Sequence, residues 1–201
     1  MFSLLQTIEM KRLEKSLLPS SYGNFEMMAY GDAYSEQMPH IALLHKNCDK
    51  TQPVYIRIHS ECITGDLFGS KRCDCGEQLR ESFKILEEHN GLLIYLRQEG
   101  RGIGLINKMK AYNHQDEGLD TIEANLQVGR KADERTYDMA EYILNDLGIS
   151  SIHLITNNPL KLNAFNHTDI KVINRVPIII DPNEVNHGYL KTKQDYKGLK
   201  N

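Results

Sequence analysis

No apolar run in this sequence approaches the length of a membrane span; the longest, Val176–Ile180, is strand-sized. A strong charge of one sign is also missing, with a net charge of −3 over 201 residues. Without a broad basic field neither nucleic acid nor a membrane surface is an expected partner, although local basic residues can still hold a small anion. The opening residues Met-Phe-Ser-Leu-Leu-Gln run straight into Glu9, Lys11 and Arg12. They lack the basic start and the full apolar stretch of a secretory signal, so a cytoplasmic location is expected. Internal repeats, low-complexity tracts and Pro/Gly/Ser linkers are absent as well. The chain therefore reads as a single domain over residues 1–201, long enough to bury a core without covalent staples. The polar end, with its Lys-rich stretch Lys191–Lys200, reads as a mobile tail.

Two familiar phosphate signatures are missing too. Gly65-Asp-Leu-Phe-Gly-Ser-Lys71 has the wrong spacing for a P-loop. Gly100, Gly102 and Gly104 do not fit G-x-G-x-x-G, so a dinucleotide fold has no support.

What is present is an alternation of strand-like and helix-like patterns. Apolar runs at Phe25–Tyr30, Ile41–Leu44, Val54–Ile58, Leu92–Leu96, Ile152–Ile155 and Val172–Ile180 read as strands. Helical stripes run through Leu79, Phe83 and Leu86, through Leu105, Met109 and Tyr112, and through Ala140, Ile143, Leu144 and Leu147. Alternation in the second half predicts an α/β architecture, and consecutive early strands without helices between them predict a mixed β-sheet with flanking helices.

The four cysteines are Cys48, Cys62, Cys73 and Cys75. In a reducing compartment such a set favours a metal over disulfides. The last three form C-x10-C-x-C, and Asp74-Cys-Gly-Glu77 reads as a helix start whose partial positive charge favours thiolates. Three thiolates leave a fourth position for water, the pattern of a catalytic zinc. Two plainer readings stand beside it: three unrelated buried thiols, or a structural site closed by a histidine such as His59.

Anion sites are signalled at two strand-to-helix turns. Arg97-Gln-Glu-Gly-Arg-Gly-Ile-Gly104 exposes backbone N–H groups beside Arg101, or is only a tight turn with a surface arginine. In Ile155-Thr-Asn-Asn158-Pro159, Asn158 suits an N-cap and Pro159 the first helical position. Thr156 and Lys161 would then lie near a strand's carboxyl end, where α/β proteins bind ligands, although capping alone also explains the segment. Asp133-Glu-Arg135 reads as acids and an arginine ahead of a helix starting near Thr136.

Taken together, Arg57-Ile-His-Ser-Glu-Cys-Ile-Thr-Gly-Asp66 and Arg72-Cys-Asp-Cys-Gly-Glu-Gln78 closely resemble the zinc segment of GTP cyclohydrolase II. Arg97 to Leu105, Asn107-Lys108, Ala111-Tyr112, Asp120-Thr-Ile-Glu-Ala-Asn125, Ala132 to Arg135 and Leu154 to Pro159 resemble that family too, in its order. The resemblance covers a core of about residues 20–195. It implies zinc on Cys62, Cys73 and Cys75. It also implies nucleotide contacts from Arg57, Ile58, His59, Ser60, Glu61, Gln78, Glu99, Gly100, Arg101, Thr121, Thr156 and Lys161. Asp133 matches the family's general base, Arg135 its nucleophile and Tyr112 an active-site tyrosine. The implied reaction converts GTP and water to formate, diphosphate and a diamino-ribosylamino-pyrimidinone 5′-phosphate, the first committed step of riboflavin biosynthesis. Magnesium on the triphosphate and a homodimer are implied as well, and the start of the chain resembles the monofunctional form. Glu99 is a candidate reader of the guanine edge, since a carboxylate suits N–H donors. Arg135 is either a covalent nucleophile or an electrostatic clamp; a guanidinium lacks a free lone pair at neutral pH. The alternative from another class is a non-catalytic zinc-dependent nucleotide-binding protein.

Overall fold

The computed structural model describes residues 10–32, 38–181 and 184–185. Its framework is one seven-stranded mixed sheet: β1 (Lys11–Ser20), β2 (Gly23–Gly31), β3 (His40–His45), β4 (Val54–Ser60), β5 (Leu92–Leu96), β6 (Ser151–Ile155) and β7 (Lys171–Val176). The spatial order is β1-β2-β3-β5-β4-β6-β7. Strands β1, β2, β3 and β5 pair antiparallel, whereas β5, β4, β6 and β7 pair parallel. A short turn joins β1 to β2, and the parallel half needs helical crossovers. These carry α1 (Ile63–Asp66), α2 (Cys75–Glu88), α3 (Leu105–Asp116), α4 (Thr121–Gln127), α5 (Asp138–Asp146) and α6 (Pro159–Asn163). The α/β class and the mixed sheet expected from the sequence are both present.

Side chains leave alternate faces of each strand, so the sheet builds two cores. On one face Met28, Tyr30, Ala42, Ile56, Ile58, Leu92, Ile94, Ile152 and Leu154 pack with Ala140, Ile143 and Leu144 of α5. On the other, Phe25, Leu43, Leu93 and Ile155 meet Leu86 of α2, with Leu79 and Phe83 beside it. The expected stripes of α2 and α5 both face the sheet. Strand β5 is apolar at every position because both of its faces are covered.

Three expectations need correction. Strand β1 precedes residue 20 and has no apolar run; it is a largely exposed edge carrying Lys11, Lys15 and Pro19, which fits an edge strand. The last strand stops at Val176 rather than Ile180, because Pro177 has no N–H to continue the ladder. The inward face of α3 is not Leu105, Met109 and Tyr112: Met109 is 53% exposed, and Lys108 and Ala111 are the buried positions. A buried polar partner for Lys108 outweighs the apolar periodicity there. The Lys-rich tail lies outside the described residues. Among the described residues, no helix is long and apolar enough to cross a membrane.

Candidate active site

Strand β4 lies between β5 and β6, and the chain leaves it to opposite sides. That switch opens a crevice at the carboxyl ends of the parallel strands, the usual ligand position of such sheets. The segments after β4, β5 and β6 converge there on one cavity of about 150 Å³. From β4 come Arg57, His59, Ser60, Glu61 and Cys62; from the β5 turn come Gln98, Glu99, Gly100 and Arg101; from β6 come Thr156, Asn157, Asn158 and Lys161. Cys73, Cys75, Gln78, Tyr112 and Arg135 also line it.

Cys62 precedes α1 and Cys75 is the first residue of α2, so the packing of the two helices brings the thiols together. That packing requires glycine at two places. A Cβ on Gly76 would lie 2.1 Å from the Gly65 carbonyl oxygen, and one on Gly65 would lie 2.9 Å from Cys73 Sγ. The three Sγ atoms all lie within 4.8 Å of one another, with Cys62 and Cys73 at 3.6 Å. In a tetrahedron, Zn–S bonds of about 2.3 Å put the sulfurs about 3.8 Å apart, so donor type and spacing fit zinc. No histidine or carboxylate among the described residues joins the cluster. His59 instead directs Nε2 to Asp66 at 3.0 Å, which leaves the structural four-ligand reading without its fourth ligand. Asp74 holds the N-cap position of α2 but makes no capping bond; its carboxylate accepts from Gln78 Nε2 at 2.5 Å.

The thiols share one negative charge unevenly. Hydrogen bonds from the Cys73 and Cys75 side chains, aided by the Lys108 cation, draw Cys62 far below the usual thiol range. The same bond to Cys62 raises Cys73 to about 11, and hydrogen bonds to Cys62 and Cys73, with burial, raise Cys75 well above the usual thiol range. A second thiolate beside the first is costly unless a cation joins them.

The half of the cavity that carries Arg57 and Lys161 is stiffened by internal bonds. Arg57 donates from Nη1 to the Ile155 carbonyl at 3.1 Å and from Nη2 to Gln78 Oε1 at 2.7 Å. Burial lowers it to about 10, which still leaves it charged at neutral pH. Lys161 donates to the Ile58 carbonyl at 2.6 Å. Asn158 caps α6 by accepting from Leu160 N at 3.1 Å, with Pro159 at the first position, as expected. Thr156 Oγ1 accepts from Asn158 N at 2.9 Å. Glu61 accepts from Arg97 at 2.6 Å. Arg57 Nε, His59 Nδ1, Ser60 Oγ and Gln98 Oε1 are buried without a hydrogen-bond partner among the described residues. Buried polar atoms of that kind ordinarily have partners, so they mark where a polar ligand fits.

Most residues expected from the sequence meet at this cavity. Ile58 takes part only through its carbonyl, and Asp133 stands behind Arg135, whose Nε and Nη2 it accepts at 2.8 and 2.5 Å. Thr121 opens α4, and its side chain is outside the described set. Glu99 is 8% exposed and already accepts three bonds: from Ile63 N at 2.7 Å, Gly100 N at 2.7 Å and Lys108 Nζ at 2.8 Å. The sequence assigned no role to Arg72, Gln98, Lys108 and Asn125, which also border the cavity. Arg72 lies over the Tyr112 ring at 4.8 Å. All four lie inside the segments quoted for the family resemblance, which was the available signal.

The sequence model of the family described as GTP cyclohydrolase II matches residues 11–177. The GTP cyclohydrolase-2 of Campylobacter fetus subsp. fetus is 51% identical over 181 residues, covering 90% of this chain and 91% of that protein. The GTP cyclohydrolase-2 of Campylobacter hominis is 51% identical over 191 residues, with 95% and 94% covered. The riboflavin biosynthesis protein RibBA of Chlorobium phaeovibrioides is 46% identical over 198 residues, which is 98% of this chain but 48% of that longer protein.

Proposed function

The chain belongs to the GTP cyclohydrolase II family, and from that premise we propose that it hydrolyses GTP in a zinc-dependent reaction. The products are 2,5-diamino-6-ribosylamino-4(3H)-pyrimidinone 5′-phosphate, formate and diphosphate. The observation that carries this reading is the meeting of three clustered thiols with an excess of cations on one cavity. Arg57, Arg72, Arg101, Lys108, Arg135 and Lys161 stand there against Glu61 and Glu99. A cavity lined largely by one sign of charge concentrates the opposite sign, here a triphosphate accompanied by magnesium.

Cys62, Cys73 and Cys75 would hold the metal, which supplies Lewis-acid polarisation and lowers the pKa of water for attack on the imidazole ring. The chain's own groups do the rest. Arg57 and Lys161 are fixed before the substrate arrives, so their charge acts on phosphate without reorganisation. Arg135, oriented by Asp133, clamps the α-phosphate while water attacks its phosphorus and diphosphate departs; a guanidinium held by a carboxylate keeps its proton and has no lone pair to attack with. Glu99 holds the turn that carries Cys62 and is less suited to reading the guanine edge, since most of its acceptor capacity is engaged. Tyr112, faced by the Arg72 and Lys108 cations, offers a ring for the base to lie against.

Zinc-loaded protein incubated with GTP and magnesium should release formate and diphosphate as the purine absorbance gives way to that of a pyrimidine. Retention of unchanged GTP by protein carrying its zinc would favour the binding-protein alternative. Residues 1–201 forming one domain and two copies forming a homodimer belong to the same proposal; light scattering on the eluting protein reads the second point.

A further inference from the structure

The buried cation of α3, Lys108, entered above only as charge on the cavity wall, yet its ammonium is held by three partners. Lys108 Nζ lies 3.1 Å from Cys62 Sγ, 2.9 Å from Thr64 Oγ1 and 2.8 Å from Glu99 Oε1. An ammonium has three protons, and these three acceptors match them in number. Its side chain is 10% exposed and that of Glu99 8%. A lysine is buried to that degree only when paired, and leaving Lys108 unpaired would be costly.

The three acceptors are arranged around one object, the turn Cys62-Ile63-Thr64. Glu99 Oε2 takes the Ile63 N–H at 2.7 Å, while Lys108 takes the sulfur and hydroxyl on either side of it. Asp66 closes the same turn by accepting the Cys62 N–H at 3.0 Å. Glu99 belongs to the turn after β5 and Lys108 to α3, so a thiol at the end of β4 is tied to two other segments of the cavity wall.

We infer that Lys108 is a positioning residue for the metal: its N–H···S bond fixes Cys62 and draws electron density from that sulfur, with Glu99 and Thr64 holding the ammonium in place. The inference rests on the metal reading of the three thiols. Groups behind a metal ligand orient it and adjust its donor strength, and their loss typically costs about 10- to 100-fold in metal affinity. A plain ion pair between Lys108 and Glu99 would stabilise the fold without touching the sulfur's electronic character, and this difference is measurable.

The probe is Co²⁺ alone, added to metal-free protein and followed through its thiolate-to-cobalt charge-transfer band. In K108M the sulfur loses its hydrogen bond and becomes the better donor. The band should move to longer wavelength, and because loss of the fixed Cys62 position outweighs the gain in donor strength, the Kd for Co²⁺ should rise by about 10- to 100-fold. K108R, which keeps a cation and N–H donors, should recover part of both changes. K108Q keeps an N–H donor, on a stem one atom shorter, but not the charge; if K108M does not fold, K108Q carries the test and should show the same shift to a smaller extent. A folded K108M or K108Q with the wild-type band and Kd overturns the inference while leaving the metal reading intact. Wild-type protein that binds no Co²⁺ overturns the metal reading itself, and this inference with it.

Discussion

Asp133 grips the Arg135 guanidinium in a bidentate pair, with Nε at 2.8 Å and Nη2 at 2.5 Å. Such a pair fixes the plane of the guanidinium and keeps it charged, which suits a phosphate clamp. Arg135→Lys replaces the fork by a point charge. One lost charge-assisted contact costs about 1.5–3 kcal/mol, or about one to two powers of ten in rate. Steady-state diphosphate release from R135K should therefore fall by that amount and stay measurable. Complete loss, with a guanylyl adduct on Arg135 of the wild type recovered after alkaline quench, would establish the covalent role instead.

The thiol cluster makes a second prediction, about metal content. Cys62 and Cys73 already stand 3.6 Å apart, whereas Cys48 is half-buried elsewhere, against the core under α5. Elemental analysis should find about one zinc per chain, as expected for a single three-thiolate site. Cys48→Ser should retain it and Cys73→Ser should lose it together with formate release. Full formate release from a metal-free C73S protein is the outcome that would sink the zinc-dependent reading.

Local chemistry made parts of this site legible in the sequence. Asn158 and Pro159 announce the start of α6 because capping depends on the next two or three residues alone. Cys73 and Cys75 flank the start of α2 for the same kind of reason. What stayed hidden depends on partners far along the chain. Strand β1 takes its register from β2, from Lys11 opposite Gly31 to Ser20 opposite Gly23, and has no apolar pattern of its own. The placement of β5 between β3 and β4 joins residues 48 to 54 positions apart on the β3 side and 36 apart on the β4 side, and no periodicity encodes it. Lys108 is the sharpest case. Its inward orientation makes sense only once Cys62 and Glu99, 46 and 9 residues away, are known to meet it.

A pH effect on stability follows from Tyr30. Its side chain has no exposed surface, and its hydroxyl donates to Asp146 Oδ2 at 2.8 Å, joining β2 to α5. Burial, then the bond and charge of Asp146, raise its pKa well above the ordinary value of 10.0. Because the folded value is the higher one, the neutral phenol favours the folded state. That contribution is complete below pH 10, the unfolded value, and is lost as pH rises from there toward the folded value. Tyr95, raised in the same direction, adds to the decline. Urea midpoints should be level from pH 8 to 10 on this account and fall above it. Tyr30→Phe should lower stability at pH 8 by about 1–3 kcal/mol and make the alkaline decline shallower. An unchanged alkaline slope in Y30F would assign that decline to other groups.

The close approach at Gly65 separates metal binding from folding. A methyl group there would stand 2.9 Å from Cys73 Sγ, 3.1 Å from Cys75 Cβ and 3.3 Å from Cys62 Sγ, so it meets all three ligand residues at once. The first of these is closer than side-chain carbons approach sulfur, so a thiol must move. Moving it disturbs the close approach of the three sulfurs, which lie within 4.8 Å of one another. Overpacking of this kind costs about 1–3 kcal/mol in stability, which a domain of ordinary stability survives. Gly65→Ala should therefore fold, with a lowered urea midpoint, and bind zinc at least tenfold more weakly in a competition titration against a chelating dye. Leu67→Ala is the control: Leu67 lies just past the same turn and is 70% exposed, so its stability should change by no more than about 0.5 kcal/mol and its zinc affinity not at all. If G65A binds zinc as tightly as the parent protein, the thiols are mobile enough to rearrange around a methyl group, and the tight fit of Gly65 against the cluster does not govern metal binding.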